Sequence, residues 1–362
     1  MLIAKRVNKL QTGSLIVSAL TLWLVPVWGL VQSSEEGSTA PEFAVIAPRA
    51  PNSLLLDGIF RDGLMVAVGE RGHVLWSEDR GETWLQGEVP TGATLTGVYF
   101  HDRNTGWAVG HDAVIIKTTD AGRHWELKFS APEDEAPLLD VWFKDADHGF
   151  AVGGYGLFLD TTDGGDTWTR RSFEAQPLST GEDDTDEDPD AEADSWWDTD
   201  VSTDLHLNHI VRSEMGRLFI AAEAGTIYRS DDYGDTWISL PSPYVGSFFG
   251  TLPLVEDQVL LFGLRGHLFR SEDAGANWQP VDSATQAMLT DGIRLGDGTI
   301  VLAGLAGVLL TSTDGGQSFA LHQQPDRKGY TKVLAGTDDA LILIGEAGLK
   351  KIRLDALTGG GP

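Results

Sequence analysis

The residues whose type and spacing could support chemistry in this chain are aspartates that recur at nearly constant intervals. They fall at Asp79, Asp120, Asp163, Asp232, Asp273, Asp314 and Asp355, separated by 41, 43, 69, 41, 41 and 41 residues. A carboxylate can act as a general acid or base, and carboxylate oxygens suit calcium. A catalytic acid is needed once, however, whereas this aspartate returns in the same sequence context. We therefore interpret the repeated aspartates as structural.

Six of the seven aspartates lie in the pattern Ser/Thr-x-Asp-x-Gly-x-x-Trp/Phe, the Asp-box motif, and Asp355 keeps little of it. An aspartate in such a turn accepts hydrogen bonds from nearby backbone amides. The glycine suits a positive φ, and the aromatic residue can fill the gap between packed sheets. The glycines are Gly81, Gly122, Gly165, Gly234, Gly275 and Gly316. The aromatic residues are Trp84, Trp125, Trp168, Trp237, Trp278 and Phe319.

Each repeat contains four short segments with strand character. In the second repeat they are LTGVYF (95–100), WAVG (107–110), AVIIKTT (113–119) and HWELKF (124–129), separated by turn residues. Their β-branched and aromatic content favours strands, and four antiparallel strands in about 41 residues make one propeller blade. The sequence therefore predicts an all-β fold, a seven-bladed β-propeller of four-stranded antiparallel blades over residues 42–358.

The closure of the predicted ring depends on the two ends of the repeat array. The last repeat lacks an apolar fourth strand, since DALTGGGP follows its third strand. The segment EFAVIA (42–47) precedes the first repeat and belongs to no blade. We predict that this N-terminal strand completes the last blade, which would leave no open edge in the ring.

The amino-acid composition excludes several classes of function. There is no cysteine among the 362 residues, which excludes disulfides, thiol catalysis, iron–sulfur clusters and an acylated lipoprotein anchor. The formal net charge of −28 argues against a nucleic-acid partner and against anionic membrane surfaces. His206 and His209 would face opposite sides of a strand and cannot share a metal ion. We predict no catalytic residue, no cofactor and no metal site.

The N-terminal residues have the pattern of an export signal. Lys5, Arg6 and Lys9 precede an apolar stretch at 15–31, and small residues follow it. We interpret residues 1–33 as a signal peptide or an uncleaved N-terminal anchor, and residues 34–41 as a linker. An anchor would be the one part of the chain that binds lipid directly. Either alternative predicts a periplasmic protein.

One segment, residues 174–205, breaks the repeat between the third and fourth blades. It contains thirteen acidic residues and no basic one. Such a stretch can be a solvated loop, and it lacks the residue order of a calcium loop. It can also be a docking segment, because Trp196 and Trp197 stand beside the acidic run and have no place in the repeat.

The acidic insertion should lie on the face that carries the turns between second and third strands. Candidate partner-binding residues are therefore the two tryptophans and the side chains of those turns. They are Arg71, Tyr155, Trp196, Trp197, Leu264, Arg265 and Leu305.

Two segments, LLDVWFKDADHGFAVGG (138–154) and LTGVYFHDRNTGWAVG (95–110), resemble the photosystem II stability/assembly factor family of propellers. The resemblance implies a seven-bladed, non-enzymatic scaffold or assembly protein. Photosynthetic members attach to membrane-protein intermediates, and similar proteins of other bacteria accompany resistance-nodulation-division (RND) exporters. An arginine-rich patch is expected in photosynthetic members, but only Arg71 and Arg265 occupy the corresponding turns here. We therefore expect a protein partner in the bacterial envelope, an RND-type membrane transporter or another envelope complex.

An alternative is an Asp-box glycoside hydrolase of the sialidase type. Such an enzyme needs an arginine triad, a Tyr–Glu nucleophile pair and an acidic residue. Arg61, Tyr330 and Glu346 are candidates, but each of them occupies a repeat position.

Overall fold

The computed structural model describes residues 43–178, 205–337 and 339–358. The predicted signal or anchor at 1–33, the linker at 34–41 and the pair Trp196–Trp197 lie outside these residues. No helix within the described ranges has the length and apolar character that a membrane span requires.

The described strands form seven antiparallel sheets that follow one another along the chain. The strands of the first blade are β1 (Leu55–Arg61), β2 (Leu64–Gly69), β3 (Val74–Ser77) and β4 (Leu85–Gln86). Those of the second are β5 (Leu95–Phe100), β6 (Gly106–Gly110), β7 (Ile115–Thr118) and β8 (Glu126–Phe129). Those of the third are β9 (Leu138–Phe143), β10 (Gly149–Gly153), β11 (Phe158–Thr161) and β12 (Thr169–Arg170).

The fourth blade has a fifth, short strand at its outer edge. This strand, β13 (Gln176–Pro177), runs parallel to the last of the four strands β14 (Leu207–Arg212), β15 (Leu218–Ala222), β16 (Ile227–Ser230) and β17 (Ile238–Ser239). The fifth blade contains β18 (Phe248–Pro253), β19 (Val259–Gly263), β20 (Leu268–Ser271) and β21 (Gln279–Pro280). The sixth contains β22 (Leu289–Arg294), β23 (Ile300–Gly304), β24 (Val308–Ser312) and β25 (Ala320–Gln323).

The seventh blade has three strands among the described residues, β26 (Tyr330–Ala335), β27 (Ala340–Gly345) and β28 (Gly348–Arg353), followed by the short helix α1 (Asp355–Thr358). Short 3-10 helices occupy Ala50–Asn52, Glu70–Gly72, His111–Ala113, Pro132–Asp134, Gly154–Gly156, Leu264–Gly266 and Leu305–Gly307. The first strand of every blade contacts the first strands of its two neighbours, and β26 contacts β1. These contacts confirm the predicted seven-bladed propeller.

The hydrophobic core lies between the blades. The second strand of each blade is buried along its whole length, because its two faces pack against the blades on either side. Trp107 of the second blade, for example, stacks on Phe143 of the third with ring centroids 3.5 Å apart. Fourth strands such as Thr169–Arg170 are exposed at the rim. The apolar runs that the sequence repeats are therefore the second strands.

The predicted closure by an N-terminal strand is wrong for the residues that the structure describes. Residues 43–47 follow the outer edge of the first blade, where Ala44 N donates to Val89 O at 2.9 Å and Ala47 N donates to Gln86 Oε1 at 2.9 Å. At the seventh blade, Leu357 of α1 is buried against the sixth and seventh blades. An apolar side chain from a helix thus packs against this blade, which has three strands in the part of the chain that the structure describes.

Hydrogen bonds between first strands close the ring instead. Thr331 Oγ1 of the last blade donates to Leu55 O of the first at 3.1 Å. A threonine at the same position of two other first strands makes an equivalent bond. Thr96 Oγ1 donates to Leu138 O at 2.6 Å, and Thr290 Oγ1 donates to Tyr330 O at 2.7 Å. The last interface therefore uses the same inner contact as the others.

Candidate functional site

The Asp boxes hold their own turns together. In the fourth blade, Asp232 Oδ1 accepts hydrogen bonds from Thr236 N at 2.9 Å and from Ser230 Oγ at 2.7 Å. Ser230 Oγ in turn accepts a bond from Gly234 N at 2.8 Å. Each of the six boxes repeats this local arrangement, at Asp79, Asp120, Asp163, Asp232, Asp273 and Asp314.

Hydrogen bonds from the residue four positions on stabilise the charged form of these carboxylates. They are the main reason why the pKa values of Asp79, Asp163 and Asp314 are lowered to about 2. A carboxylate that stays ionised and is occupied by its own turn is a poor proton donor. Asp355 begins the short helix α1 and pairs with Arg353.

The turns between second and third strands lie at the opposite end of the blades, on what we call the turn face. In five blades a 3-10 helix forms this turn, and its middle residue is left-handed although it is not glycine. These middle residues are Arg71, Asp112, Tyr155, Arg265 and Ala306, with φ between 54 and 59°. A Cβ in this region costs about 1 kcal/mol or more. The fold thus presents four kinds of side chain at the same point of five blades.

The structure places the predicted partner-binding residues of the described chain on this turn face. Tyr155 is 62% exposed and Leu305 is 37% exposed, while Arg71 and Arg265 are exposed and Leu264 is half-buried. Val245, which we did not predict, is 88% exposed in the connection that leads to β18. Val245 stands between Tyr244 and Gly246 in a connection that does not follow the repeat, so the sequence gave no signal for it.

Tyr155 lies next to the point where the acidic insertion returns to the propeller. Its ring meets that of His206 edge-on, with centroids 4.9 Å apart, and Gly156 N donates to Leu205 O at 2.9 Å. On the other side of the insertion, Leu178 N donates to Ser239 O at 3.1 Å. Both ends of the insertion are therefore held at the third and fourth blades.

A cavity of about 520 Å³ lies on the propeller axis and was not predicted from the sequence. The first strands of the first, second, third, fourth, sixth and seventh blades line it, and it extends to the ends of these strands near the Asp boxes. We call it the axial cavity. Its lining changes in character with depth, from basic to apolar and then to acidic side chains.

The deepest part of the axial cavity contains a buried ion-pair cluster. Lys332 Nζ lies 3.1 Å from Asp57 Oδ1 and 3.3 Å from Asp291 Oδ1. Burial alone would lower the pKa of Lys332, but the two carboxylates outweigh it and raise that pKa. Burial raises the pKa of Asp291, against the opposing effect of Lys332. The lysine is therefore charged at any physiological pH.

Each carboxylate of this layer also bonds to the backbone of the next blade. Asp57 Oδ2 accepts from Val98 N at 2.8 Å, and Asp291 Oδ2 accepts from Val333 N at 2.9 Å. Asp140 makes the equivalent bond to Ile210 N at 2.9 Å. These aspartates therefore link neighbouring blades as well as lining the cavity.

Asp140 and His209 lie on the same layer, and no lysine or arginine of the described ranges forms an ion pair with Asp140. Burial, assisted by the charge of Asp57, raises the pKa of Asp140 to about 7. Burial lowers the pKa of His209 to about 3, and the two side chains are 3.9 Å apart. His209 Nδ1 is buried and has no hydrogen-bond partner among the described residues.

The opening of the axial cavity is basic. Arg61, Lys144 and Arg212 line it together with His101, and we call the first three the rim cations. None of them forms an ion pair with a carboxylate of the described chain, whereas fourteen other described lysines and arginines do so. Arg61 Nε donates to Phe100 O at 3.0 Å, which fixes its guanidinium at the opening.

The candidates for a glycosidase site do not come together. Arg61 ends β1 near the Asp boxes, while Tyr330 begins β26 at the opposite end of the blades. Six residue steps of a strand separate these ends by roughly 20 Å. Glu346 lies in a turn of the turn face and pairs with Lys328. Three groups so placed cannot act on one glycosidic bond.

The sequence contains a pattern from which the axial cavity could have been predicted. The third residue of the first strand is Asp57, Gly97, Asp140, His209, Gly250, Asp291 or Lys332 in the seven blades. Four of these seven side chains carry a formal charge at a position inside otherwise apolar strands. Polar residues that replace one another at a repeated buried position indicate a site shared between repeats.

Comparison with known proteins supports the propeller fold and finds similarity to one assembly factor. A model of the photosynthesis system II assembly factor YCF48 matches residues 129–186. A structure of YCF48 bound to D1 peptide is 20% identical, covering 87% of this chain and 97% of that chain with a TM-score of 0.62. YCF48 from Cyanidioschyzon merolae is 16% identical, covering 86% and 98% with a TM-score of 0.60. No curated protein matches the chain in sequence.

The propeller fold alone does not decide between binding and catalysis. A streptogramin B lyase structure is 12% identical, covers 83% of this chain and 93% of that chain, and has a TM-score of 0.64. A similar fold therefore occurs in a peptide-binding assembly factor and in a lyase. The function of this chain must therefore be inferred from its turn face and its axial cavity.

Proposed function

We propose that this chain is a non-enzymatic scaffold or accessory protein of the bacterial envelope. It binds a segment of a membrane-protein complex, an RND-type transporter, through the turn face. The observation that carries this proposal is the set of left-handed turns, which hold side chains of differing chemistry at equivalent points of the ring. Exposed Tyr155, Val245 and Leu305 supply apolar anchors on the same face.

Backbone geometry supports a binding role for the turn face. A left-handed tyrosine, arginine or alanine is less stable than glycine at that position, and such strain is concentrated at functional sites. Aromatic and arginine side chains are also the residues that dominate binding energy at protein interfaces. Tyr155, Arg71 and Arg265 combine these two properties.

The kind of partner follows from the similarity to YCF48, one structure of which is bound to a peptide of D1. Only Arg71 and Arg265 among the turn residues are basic, so a photosystem partner is less well supported than an envelope transporter. The charged and apolar residues at 5–31 support export to the periplasm. The acidic insertion would speed the encounter with a basic region of the partner.

Affinity capture from detergent-solubilised envelope membranes of the source cells tests the partner and the face together. We expect Tyr155→Ala and Leu305→Ala to reduce recovery of an RND-type transporter about tenfold or more each, since an interface anchor contributes about 2 kcal/mol. Tyr233→Ala is the matched control, because Tyr233 is also an exposed aromatic residue but lies in an Asp box.

Two outcomes would contradict the proposal. Equal recovery with all three variants would move the interface away from the turn face. Recovery of a soluble enzyme complex in place of any membrane protein would refute the scaffold role.

Deletion of residues 179–204 should slow association more at low salt than at high salt, because screening removes electrostatic steering. Fractionation of the cells should place the protein in the periplasm or on the inner membrane.

A further inference from the structure

The axial cavity has the size and shape of a small-molecule site. Its volume of about 520 Å³ falls within the range of about 300–1,000 Å³ that ligand pockets occupy. It lies within a closed ring of first strands, so its walls are rigid. The turn face, in contrast, is built from projecting turns and suits a larger partner.

The rim cations give this cavity a local charge opposite to that of the protein. The chain carries a formal net charge of −28, yet Arg61, Lys144 and Arg212 remain free of carboxylate partners in the described residues. Lys144 and Arg212 lie over the ring of Tyr233 at 5.0 and 5.7 Å from its centroid, which holds both of them beside the opening. Three cations that form no ion pair with a described carboxylate favour an anionic ligand.

Below the rim, the wall of the cavity is apolar. Tyr99, Trp142 and Ile293 contribute to it, and the hydroxyl of Tyr99 is occupied because its Oη donates to Phe143 O at 3.0 Å. Aromatic walls with few polar groups are typical of pockets that bind rings or aliphatic chains. The body of the ligand should therefore be apolar.

The floor sets the depth to which such a ligand can enter. At the floor, the two carboxylates of Asp57 and Asp291 share one cation, Lys332, so a second anion finds no free cation there. The unpartnered His209 Nδ1 offers one polar contact at this depth. Its imidazole is neutral because burial lowers the pKa of His209 to about 3.

We propose that the axial cavity binds a small amphiphilic organic anion. Its carboxylate or sulfonate lies among the rim cations, and its ring or aliphatic body contacts Tyr99, Trp142 and Ile293. A long acidic polypeptide is a poorer fit, since the remaining surface of this acidic protein repels it. A small anion that enters the cavity experiences mainly the rim, because charges more than about 8 Å away are screened at physiological salt.

Isothermal titration of the full chain with 2-naphthoate and with its uncharged amide tests this assignment. We expect naphthoate to bind about tenfold or more tightly than 2-naphthamide, because only the anion forms charge-assisted bonds with the rim. The triple variant Arg61→Gln, Lys144→Gln, Arg212→Gln should lose this preference and weaken naphthoate binding about tenfold or more. Ile293→Trp should block both probes by filling the cavity.

The matched control removes two other exposed arginines that lack a carboxylate partner in the described residues and do not line the cavity, Arg49 and Arg327. This variant should bind naphthoate within about twofold of the parent. The proposal fails if the control loses as much affinity as the rim variant, if the amide binds as well as the anion, or if naphthoate does not bind. Tighter binding of a tetraglutamate peptide, displaced by naphthoate, would assign the cavity to an acidic polypeptide instead.

Discussion

Two sets of aspartates in this propeller use the same side chain in opposite ways. The Asp-box aspartates lie at the periphery, accept bonds from their own turn and have pKa values lowered to about 2 in Asp79, Asp163 and Asp314. Asp140 and Asp291 lie near the axis, accept bonds from the next blade and have raised pKa values. Burial accounts for the raised values, since it disfavours the charged form, whereas hydrogen bonds from the turn account for the lowered values.

The comparison separates residues that stabilise a single blade from residues whose role depends on the neighbouring blades. A peripheral aspartate acts within one repeat, so every blade can keep it. An axial aspartate acts between repeats and beside other charges, so its surroundings differ from one blade to the next. The irregular positions of a regular fold are therefore where its specific chemistry lies.

The substitution with the largest expected effect on the axial aspartates is Lys332→Met. The variant leaves the carboxylates of Asp57 and Asp291 buried without their cation, and removing one partner of a buried ion pair costs about 3–5 kcal/mol. We expect a loss of this size in the free energy of unfolding, measured by urea denaturation at pH 7. The reference is Lys328→Met, which removes an exposed pair with Glu346 and should cost less than about 1 kcal/mol.

Removing the stranded charges should restore much of the lost stability. The triple variant Lys332→Met, Asp57→Asn, Asp291→Asn keeps an acceptor for Val98 N and Val333 N but has no buried carboxylate at these two positions. We expect it to recover more than half of the loss. If the triple variant is no more stable than Lys332→Met alone, then the lysine contributes through packing and the electrostatic interpretation of the axial layer is wrong.

Asp140→Asn tests whether the pKa of the axial residue Asp140 is raised. The pKa of Asp140 is about 7 in the folded protein and about 3.9 in an unfolded chain, so the folded state binds the proton more tightly. Its contribution to stability is therefore greatest at low pH and is lost as the pH rises from about 4 to about 7. The slope for one proton is at most about 1.4 kcal/mol per pH unit.

The measurement is the difference in unfolding free energy between Asp140→Asn and the parent, taken from pH 4 to pH 8. This difference should move in favour of the variant as the pH rises and become constant above about pH 7.5. Taking the difference removes the opposite effect of His209, whose lowered pKa makes the protein less stable as the pH falls. A difference that does not change with pH would show that Asp140 titrates normally.

The regular part of the fold could be predicted because it is encoded within single repeats. In the second blade the predicted first strand at 95–100 is β5, and the predicted 113–119 segment contains β7 at Ile115–Thr118. The Asp boxes could be predicted for the same reason, since all their partners lie within four residues of the aspartate.

The axial cavity and the closure could not be predicted in the same way. The cluster of Asp57, Asp291 and Lys332 joins residues from the first, sixth and seventh blades, which meet only when the ring has closed. The segment at 43–47 has strand composition, yet it follows the first blade, where Gln86 and Val89 offer hydrogen bonds. Nothing local distinguishes these two edges from one another.

Asp314→Ala should have a smaller effect than either axial variant. Loss of the bonds from Ser318 N, at 3.1 Å, and Ser312 Oγ, at 2.7 Å, resembles the loss of a helix cap, which costs about 1 kcal/mol. The lowered pKa of Asp314, about 2, means that its contribution is present above about pH 4 and is lost as the pH falls towards 2. The difference from the parent should therefore shrink in acid. A loss comparable to that of Lys332→Met would mean that a peripheral box also supports contacts between blades.

The smallest effect concerns the turn face, through Ala306→Gly. Ala306 has a φ of 57° and is exposed, so glycine relieves strain at the cost of a more flexible unfolded chain. We expect the free energy of unfolding to rise by a few tenths of a kcal/mol, to at most about 1 kcal/mol. Ala320→Gly, in exposed β25 with ordinary strand geometry, should instead destabilise the protein by about 0.5–1 kcal/mol. Opposite signs for two exposed alanines would show that the turn conformation is strained. If both variants are destabilised equally, left-handed residues on this face carry no strain, and the backbone argument for a binding surface there loses its support.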